Sequence, residues 1–254
     1  MRLQIPNIVG LTLTACGILA LASSIIFVNS ILAFIGLGLT FWGCLFLLLK
    51  PEPYTKSTLL DSTTTPSLKN LHKLLTDLNY NGKGVYLPPK YLTDLKSGLV
   101  YISKKKGIDI PPLGEKPEDT TVSTNPDGLY ITPPGLDLTN LFEKRLGTDF
   151  IRTDLQYLQT NLPNVFIENL EIAQALEITT ENNLINIKIT DSVYNNLHTQ
   201  TQQLATIHNS IGCPLCSAIA CALTRVTGEP IIIENSHYTT TDKTLTVQYR
   251  ILEE

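Results

Sequence analysis

The sequence predicts an α+β protein: a transmembrane helical hairpin, then a soluble antiparallel sheet packed with helices. Three observations carry that expectation. Residues 3–49 contain no Asp, Glu, Lys, Arg or His, while all 23 acidic residues lie from Glu52 onward. Within the uncharged stretch, two apolar runs, Ile5 to Val28 and Ile31 to Leu49, are parted only by Asn29-Ser30. The last third of the chain holds four short strand-like segments, with helical patterns between the second and the third.

Each apolar run has about the 20 residues that an α-helix needs to cross a hydrocarbon core of ~30 Å. Lipid offers the backbone no water, so a helix is the form that satisfies it, and Asn29-Ser30 marks a tight reversal. Residues 1–50 thus form the hairpin, with spans 5–28 and 31–49, and the lipid bilayer is the expected partner of residues 5–49. Arg2, Lys50 and Lys56 flank its open end, and the turn is uncharged. The positive-inside rule then predicts a multi-pass protein of the cell membrane with N- and C-termini in the cytoplasm. The first run has a competing reading as a signal peptide cleaved near Leu19-Ala20-Leu21-Ala22, which also leaves the remainder cytoplasmic. Gly36, Gly38 and Gly43 in the second run, with Ala15, Gly17, Ala20 and Ala22 in the first, predict close helix packing. Cys16 and Cys44 are small apolar fillers at similar depth. With no ionisable group in either span, the hairpin has no material for an ion path.

Pro51 to Pro66, rich in Thr, Ser and Pro, reads as an extended linker (51–66). The α+β domain follows as residues 67–254, with 67–150 and 151–254 as possible sub-units. Pro66 suits a first helical position after a Thr65 cap, and Leu68, Leu71, Leu74, Leu75 and Leu78 recur at helical spacing up to Gly82. Gly84-Val85-Tyr86-Leu87-Pro88-Pro89, Gly98-Leu99-Val100-Tyr101-Ile102 and Gly128-Leu129-Tyr130-Ile131-Thr132-Pro133-Pro134 echo one another and read as glycine-opened strands. Lys104-Lys105-Lys106 and the stretch from Pro111 to Asp127 form a solvated loop. Helices are expected near Leu138 to Leu146 and from Asp154 to Leu162, where Pro163 stops the second. The end of the chain reads β-β-α-α-β-β. Strands Leu176 to Thr180 and Leu184 to Thr190 precede a helix capped by Asp191, with an apolar stripe of Val193, Leu197, Leu204 and Ile207. A second helix from Pro214 to Val226 ends at Gly228, and strands Pro230 to Glu234 and Thr244 to Leu252 close the chain. Past Lys50 there are 17 basic against 23 acidic residues, a formal charge of −6, which excludes nucleic acid as a partner.

Chemistry has one place to reside, the stretch His208-Asn209-Ser210-Ile211-Gly212-Cys213-Pro214-Leu215-Cys216. Cys213 falls at or just before a helix start, where free N–H groups and the helix dipole stabilise a thiolate. Cys213 and Cys216 share a helix face, whereas Cys221 points about 140° away, so the three thiols do not converge on a metal. No metal site and no cofactor are predicted. His208 is the histidine placed to pair with Cys213, or else it sits near the last carbonyls of its own helix. The helix from Pro214 is apolar nearly all round, which makes its cysteines core residues as readily as reactive ones. There is no Gly-x-Ser-x-Gly elbow, phosphate loop or His-Glu-x-x-His.

The run Gly212-Cys213-Pro214-Leu215-Cys216-Ser217-Ala218-Ile219-Ala220-Cys221-Ala222-Leu223, followed by Thr227-Gly228-Glu229-Pro230 and a closing hairpin, resembles the end of uncharacterised archaeal membrane proteins. These share two N-terminal spans before a small α+β domain, and the resemblance implies no known activity. The same helix, Thr-Gly-x-Pro and terminal hairpin are also similar to the end of vinyl-reductase-type small-molecule-binding domains. That family's cysteine near the end of its last strand has no counterpart here, since no Cys follows Cys221. The functional expectation is a membrane-anchored, cytoplasmic-facing binding or assembly module without its own catalysis, meeting a protein partner at the membrane. The alternatives are a membrane-tethered thiol redox protein or sensor using Cys213 and Cys216, and a vinyl-reductase-like small-molecule-binding domain.

Overall fold

The structure, a computed structural model, describes residues 5–48, 57–92, 97–111, 121–124 and 126–252. The chain divides into two compact units, Met1–Thr55 and Lys56–Glu254. The expected charges at Arg2, Lys50 and Lys56 lie outside the described residues, as do residues 51–56 of the linker and residues 112–120 of the acidic loop.

In the first unit, α1 (Ile5–Phe27) and α2 (Ser30–Leu48) form an antiparallel pair, each long and apolar enough to cross a membrane. Val28 takes a left-handed φ of 46° at the reversal, and the Asn29 side chain accepts from the Ile31 N–H at 3.0 Å to start α2. Small residues set how near the helices come. A Cβ on Gly17 would lie 2.6 Å from the Thr40 backbone nitrogen, and one on Gly43 would lie 2.5 Å from that of Thr14. Thr14 and Thr40 satisfy their hydroxyls on the carbonyls of Gly10 and Gly36 within their own helices. Of the three glycines the sequence singles out in α2, Gly36 and Gly43 pack this way. Gly38 faces away, with nothing within 4 Å of an added Cβ, because it stands 200° round the helix from Gly36 at ~100° per residue. Cys16 and Cys44 are exposed on the outside of the pair and unbonded.

The second unit opens with α3 (Ser57–Asp77), which begins nine residues before the Pro66 start that the spacing predicts. The last ten residues of the expected linker are therefore helical, and Pro66 lies inside the helix rather than at its first position. Tertiary bonds offset what proline costs there: Asp61 Oδ2 accepts from Asn196 Nδ2 at 2.8 Å, and the Thr65 hydroxyl donates to the Gln200 side chain.

Among the described residues eight strands form one antiparallel sheet: β1 (Gly84–Leu87), β2 (Leu99–Ser103), β3 (Val122–Thr124), β4 (Asp127–Ile131), β5 (Ala175–Glu181), β6 (Leu184–Thr190), β7 (Ile231–Thr239) and β8 (Thr244–Ile251). Their order is β3-β4-β2-β1-β7-β8-β6-β5. The three echoing segments become the neighbours β4, β2 and β1. Helices α4 (Leu136–Leu146), α5 (Leu155–Asn164), α6 (Asn195–Gln203), α7 (Ala205–Ser210) and α8 (Pro214–Thr227) complete the unit. Asp154 caps α5, its carboxylate accepting from the Tyr157 N–H. Pro163 does not stop that helix, which runs on into a wider turn through Asn169.

Period two divides the strands between two cores. Tyr86, Val100, Ile102, Ile185, Ile187, Val247 and Tyr249 join the main core with the helices, in which α8 is buried along almost its full length. Val85, Leu87, Tyr101, Tyr130 and Ile232 form a smaller core on the opposite face, with Tyr91. The apolar stretch Ala205–Thr227, as hydrophobic as a membrane span, owes its composition to that burial.

The two sheet halves meet between β1 and β7, where only Val85↔Ile232 and Tyr86↔Ile231 pair. Lys83 extends the seam: its ammonium donates to the carbonyls of Ile233 and Glu234 at 3.1 and 2.8 Å, where a bulge interrupts the β7–β8 ladder. Burial pulls the Lys83 pKa down, against the attraction of Glu234. Tyr86 and Ser210 tie the seam to the helices, donating to the carbonyls of Ile211 (2.7 Å) and Gly82 (2.8 Å).

Candidate functional site

Two helices and the loop between them bring the site together. The α6 segment starts at Asn195, with Tyr194 rather than Asp191 at its cap position. Asp191 has a left-handed φ of 47° and instead takes the Asn195 amide and the Lys243 ammonium on its carboxylate. The inward face of α6 is Tyr194, Leu197, His198 and Thr201, spaced i, i+3, i+4 and i+7; Val193, assigned inward by the sequence stripe, is 38% exposed. The expected single helix breaks at Leu204, giving α6 and α7. Ile211 and Gly212 then turn the chain, Gly212 with φ +67°, a conformation that favours glycine.

That turn makes Cys213 the N-cap of α8, with Pro214 at the first helical position, where a missing N–H costs nothing. The Cys213 sulfur accepts from the Cys216 backbone N–H at 3.2 Å and stands 3.0 Å from the Cys216 sulfur. From the other side His198 Nδ1 lies 3.1 Å from the same sulfur. The imidazole packs against Tyr238 and Tyr194, with ring centroids 5.4 and 6.4 Å away, and its Nε2 has no hydrogen-bond partner among the described residues. Tyr249 donates to the Cys216 carbonyl at 3.0 Å and holds the first turn of α8 to the sheet.

Burial alone would raise the Cys213 pKa. The bonds from Cys216, the imidazole of His198 and the free end of α8 outweigh it and hold this thiol well below its ordinary value. The same hydrogen bond, with burial, pushes Cys216 up. Ionisation is thus favoured at one sulfur and opposed at the other. Ionisation of Cys213 favours the fold: the contribution is complete above the ordinary thiol pKa and fades as pH falls through the depressed one. Thiolate ultraviolet absorbance is therefore expected to titrate below the ordinary thiol range, and His198→Leu should move that titration upward.

Of the two positions that the sequence offers His208, beside Cys213 or near the end of its own helix, the structure shows the second. His208, in the last turn of α7, has Nδ1 3.4 Å from the Ser236 hydroxyl, and burial lowers its pKa. His198 is the residue that sequence reasoning missed, although the i, i+3, i+4, i+7 spacing from Tyr194 would have turned it inward. Cys221 lies on the opposite flank of α8, its thiol pushed up to about 12 by burial. Among the described residues no group of three or more His, Cys, Asp or Glu side chains is arranged to hold a metal. A narrow cleft lined by Thr201, Gln202, His208, Ser236, Tyr238 and Leu245 leads to His198 and the two sulfurs.

A family model described as a domain of unknown function (DUF7982) matches residues 6–251. No curated protein matches the chain. Among solved structures, a trafficking protein particle complex subunit 3 from Naegleria fowleri, covalently bound to palmitic acid, is similar at 16% identity and a TM-score of 0.32, covering 47% of this chain and 74% of that one.

Proposed function

Since this chain belongs to the DUF7982 family, a domain of unknown function, its chemistry has to come from its own side chains, and we propose that it is a membrane-tethered dithiol redox protein. Cys213 is the nucleophilic thiol, Cys216 the thiol that closes a disulfide with it, and His198 the base and positioning partner. One observation carries this reading: the Cys213 sulfur stands 3.0 Å from the Cys216 sulfur and 3.1 Å from His198 Nδ1. Disulfide sulfurs are ~2.04 Å apart, so closure asks for a movement of about 1 Å. Oxidation removes two electrons and two protons from the pair, and reduction restores them.

The two apolar helices and the one-sided distribution of flanking charge support a setting at the cytoplasmic face of a cell membrane, with both ends of the hairpin inside. The archaeal origin implied by the sequence resemblance belongs to the same proposal. Burial of the thiols, 4% and 1% exposed, favours the second reading, a binding module in which they only fill space.

Equilibrium separates the two. The full chain in detergent, held in redox buffers of stepped potential until no further change, should convert to a single Cys213–Cys216 disulfide detected by mass spectrometry. Cys16, Cys44 and Cys221 should stay free, and Cys213→Ser or Cys216→Ser should abolish the conversion. A pair that stays reduced at every potential while the fold persists would overturn the redox reading in favour of the packed one.

A further inference from the structure

The dithiol reading leaves open what takes the electrons, and the shape of the approach to Cys213 bears on it. Cys213 is 4% exposed and Cys216 1%. The cleft that reaches them has room for a molecule of roughly water's size. In thiol–disulfide exchange the attacking sulfur, the struck sulfur and the leaving sulfur come into line, with a carbon chain on each of the last two. Access therefore governs the rate together with thiolate character. A partner of that bulk has to wait for the cleft, lined by Gln202, Tyr238 and Leu245, to open.

The walls are nonetheless built for a small polar guest. The Thr201 hydroxyl is buried and spends its hydrogen on the Leu197 carbonyl at 2.8 Å, which leaves its lone pairs to accept. His208 and Ser236 line the same cleft, and His198, 2% exposed, keeps Nε2 without a partner among the described residues.

Resting on the dithiol reading, we propose that the oxidant of this site is a small hydroperoxide, hydrogen peroxide in the simplest case, and not a peptide or protein disulfide. The thiolate of Cys213 attacks one peroxide oxygen. The S–O bond forms as the O–O bond breaks, and the departing hydroxide takes the proton held by His198 to leave as water. Cys213 is then a sulfenic acid. The Cys216 sulfur, 3.0 Å away, attacks it; the S–S bond forms, the S–O bond breaks, and the hydroxyl leaves with the Cys216 proton as a second water. Two thiols and one peroxide become one disulfide and two waters.

The test compares oxidants on the reduced full chain in detergent. Hydrogen peroxide or glutathione disulfide is added at equal concentration, the reaction is quenched by alkylation in denaturant, and Cys213–Cys216 disulfide is counted against time. The same pair of rates is measured on protein unfolded in urea, where access no longer discriminates. The peroxide-to-glutathione rate ratio should be at least tenfold higher in the folded protein. An equal or lower ratio would overturn the inference, as would failure of peroxide to form the disulfide that redox buffers do form. Gln202→Ala and Tyr238→Leu widen the cleft and should speed glutathione disulfide selectively. If both variants stay folded and leave the ratio unchanged, the constriction is not the selector and the inference falls. A disulfide that forms in no redox buffer at all is a different result, since it removes the dithiol reading itself.

Discussion

Glu143→Ala is expected to destabilise the sheet unit by about 3–5 kcal/mol, the usual cost of removing one partner from a buried ion pair. Glu143 on α4 receives the Arg225 guanidinium of α8 at 2.7 Å, with side-chain exposures of 10% and 3%. Its other carboxylate oxygen accepts from the Phe150 backbone N–H at 2.9 Å, and Asn140 accepts from the same Arg225 nitrogen at 2.9 Å. Alanine therefore strips a buried cation of its carboxylate and leaves a buried N–H without its acceptor. Glu143→Gln retains the acceptor for Phe150 and should cost less. The double change Glu143→Met with Arg225→Met removes both charges and should recover much of the loss. Denaturant unfolding of each variant measures the series. If Glu143→Ala lies within about 1 kcal/mol of the parent protein, water reaches the pair and the interior account of it is wrong.

Gly135→Ala is expected to be almost as damaging, and its effect should reach the thiols. A Cβ on Gly135 would lie 2.6 Å from the Ala218 Cα and nearer still to the Ala218 nitrogen and the Pro214 carbonyl. The Gly135 N–H donates to the Ser217 hydroxyl at 3.2 Å, and Thr139 donates to the Ala218 carbonyl at 2.7 Å. The start of α4 thus lies against the first turn of α8, backbone on backbone, where neither side has a flexible group to give way. Overpacking of this kind costs about 1–3 kcal/mol, and more where the backbone must shift. Because that turn carries Cys216, a folded Gly135→Ala protein should also have a changed Cys213–Cys216 redox midpoint. An unaltered melting temperature together with an unaltered midpoint would mean that α4 yields freely and does not brace the site.

Much of the architecture was legible because it follows from period and punctuation. The α+β class rests on the alternation of Leu245, Val247 and Tyr249 with Thr246 and Gln248, and on Gly228 with its left-handed φ of 70° ending α8. The three glycine-opened segments read as strands, though their adjacency in the sheet is a long-range pairing that no local pattern encodes. Propensity misled where tertiary bonds won. Pro66 marks a helix start by its own chemistry, yet Asp61 and Thr65 hold the preceding turns helical through α6. The site was half legible. Cys213 at a helix start follows from the Gly-Cys-Pro order, but its histidine depends on the register of α6. Choosing Val193 as the inward residue rather than Tyr194 turns His198 out to solvent on paper, an error of 100° that conceals the centre of the chemistry.

The joint between β1 and β7 has a consequence of another kind. Most sheets fray from their outer strands inward, because the margins have fewest bonds. Here the shortest run of pairing is in the middle, so a parting along the midline would break the fewest ladder bonds, with Lys83 as a clasp on one side of the gap. Each half would then bare a fresh margin rich in Val85, Ile231 and Ile232, ready to pair with the same margin of a neighbouring molecule. Crowding of many copies on a single surface makes that exchange a hazard, and the lysine clasp is the local defence against it.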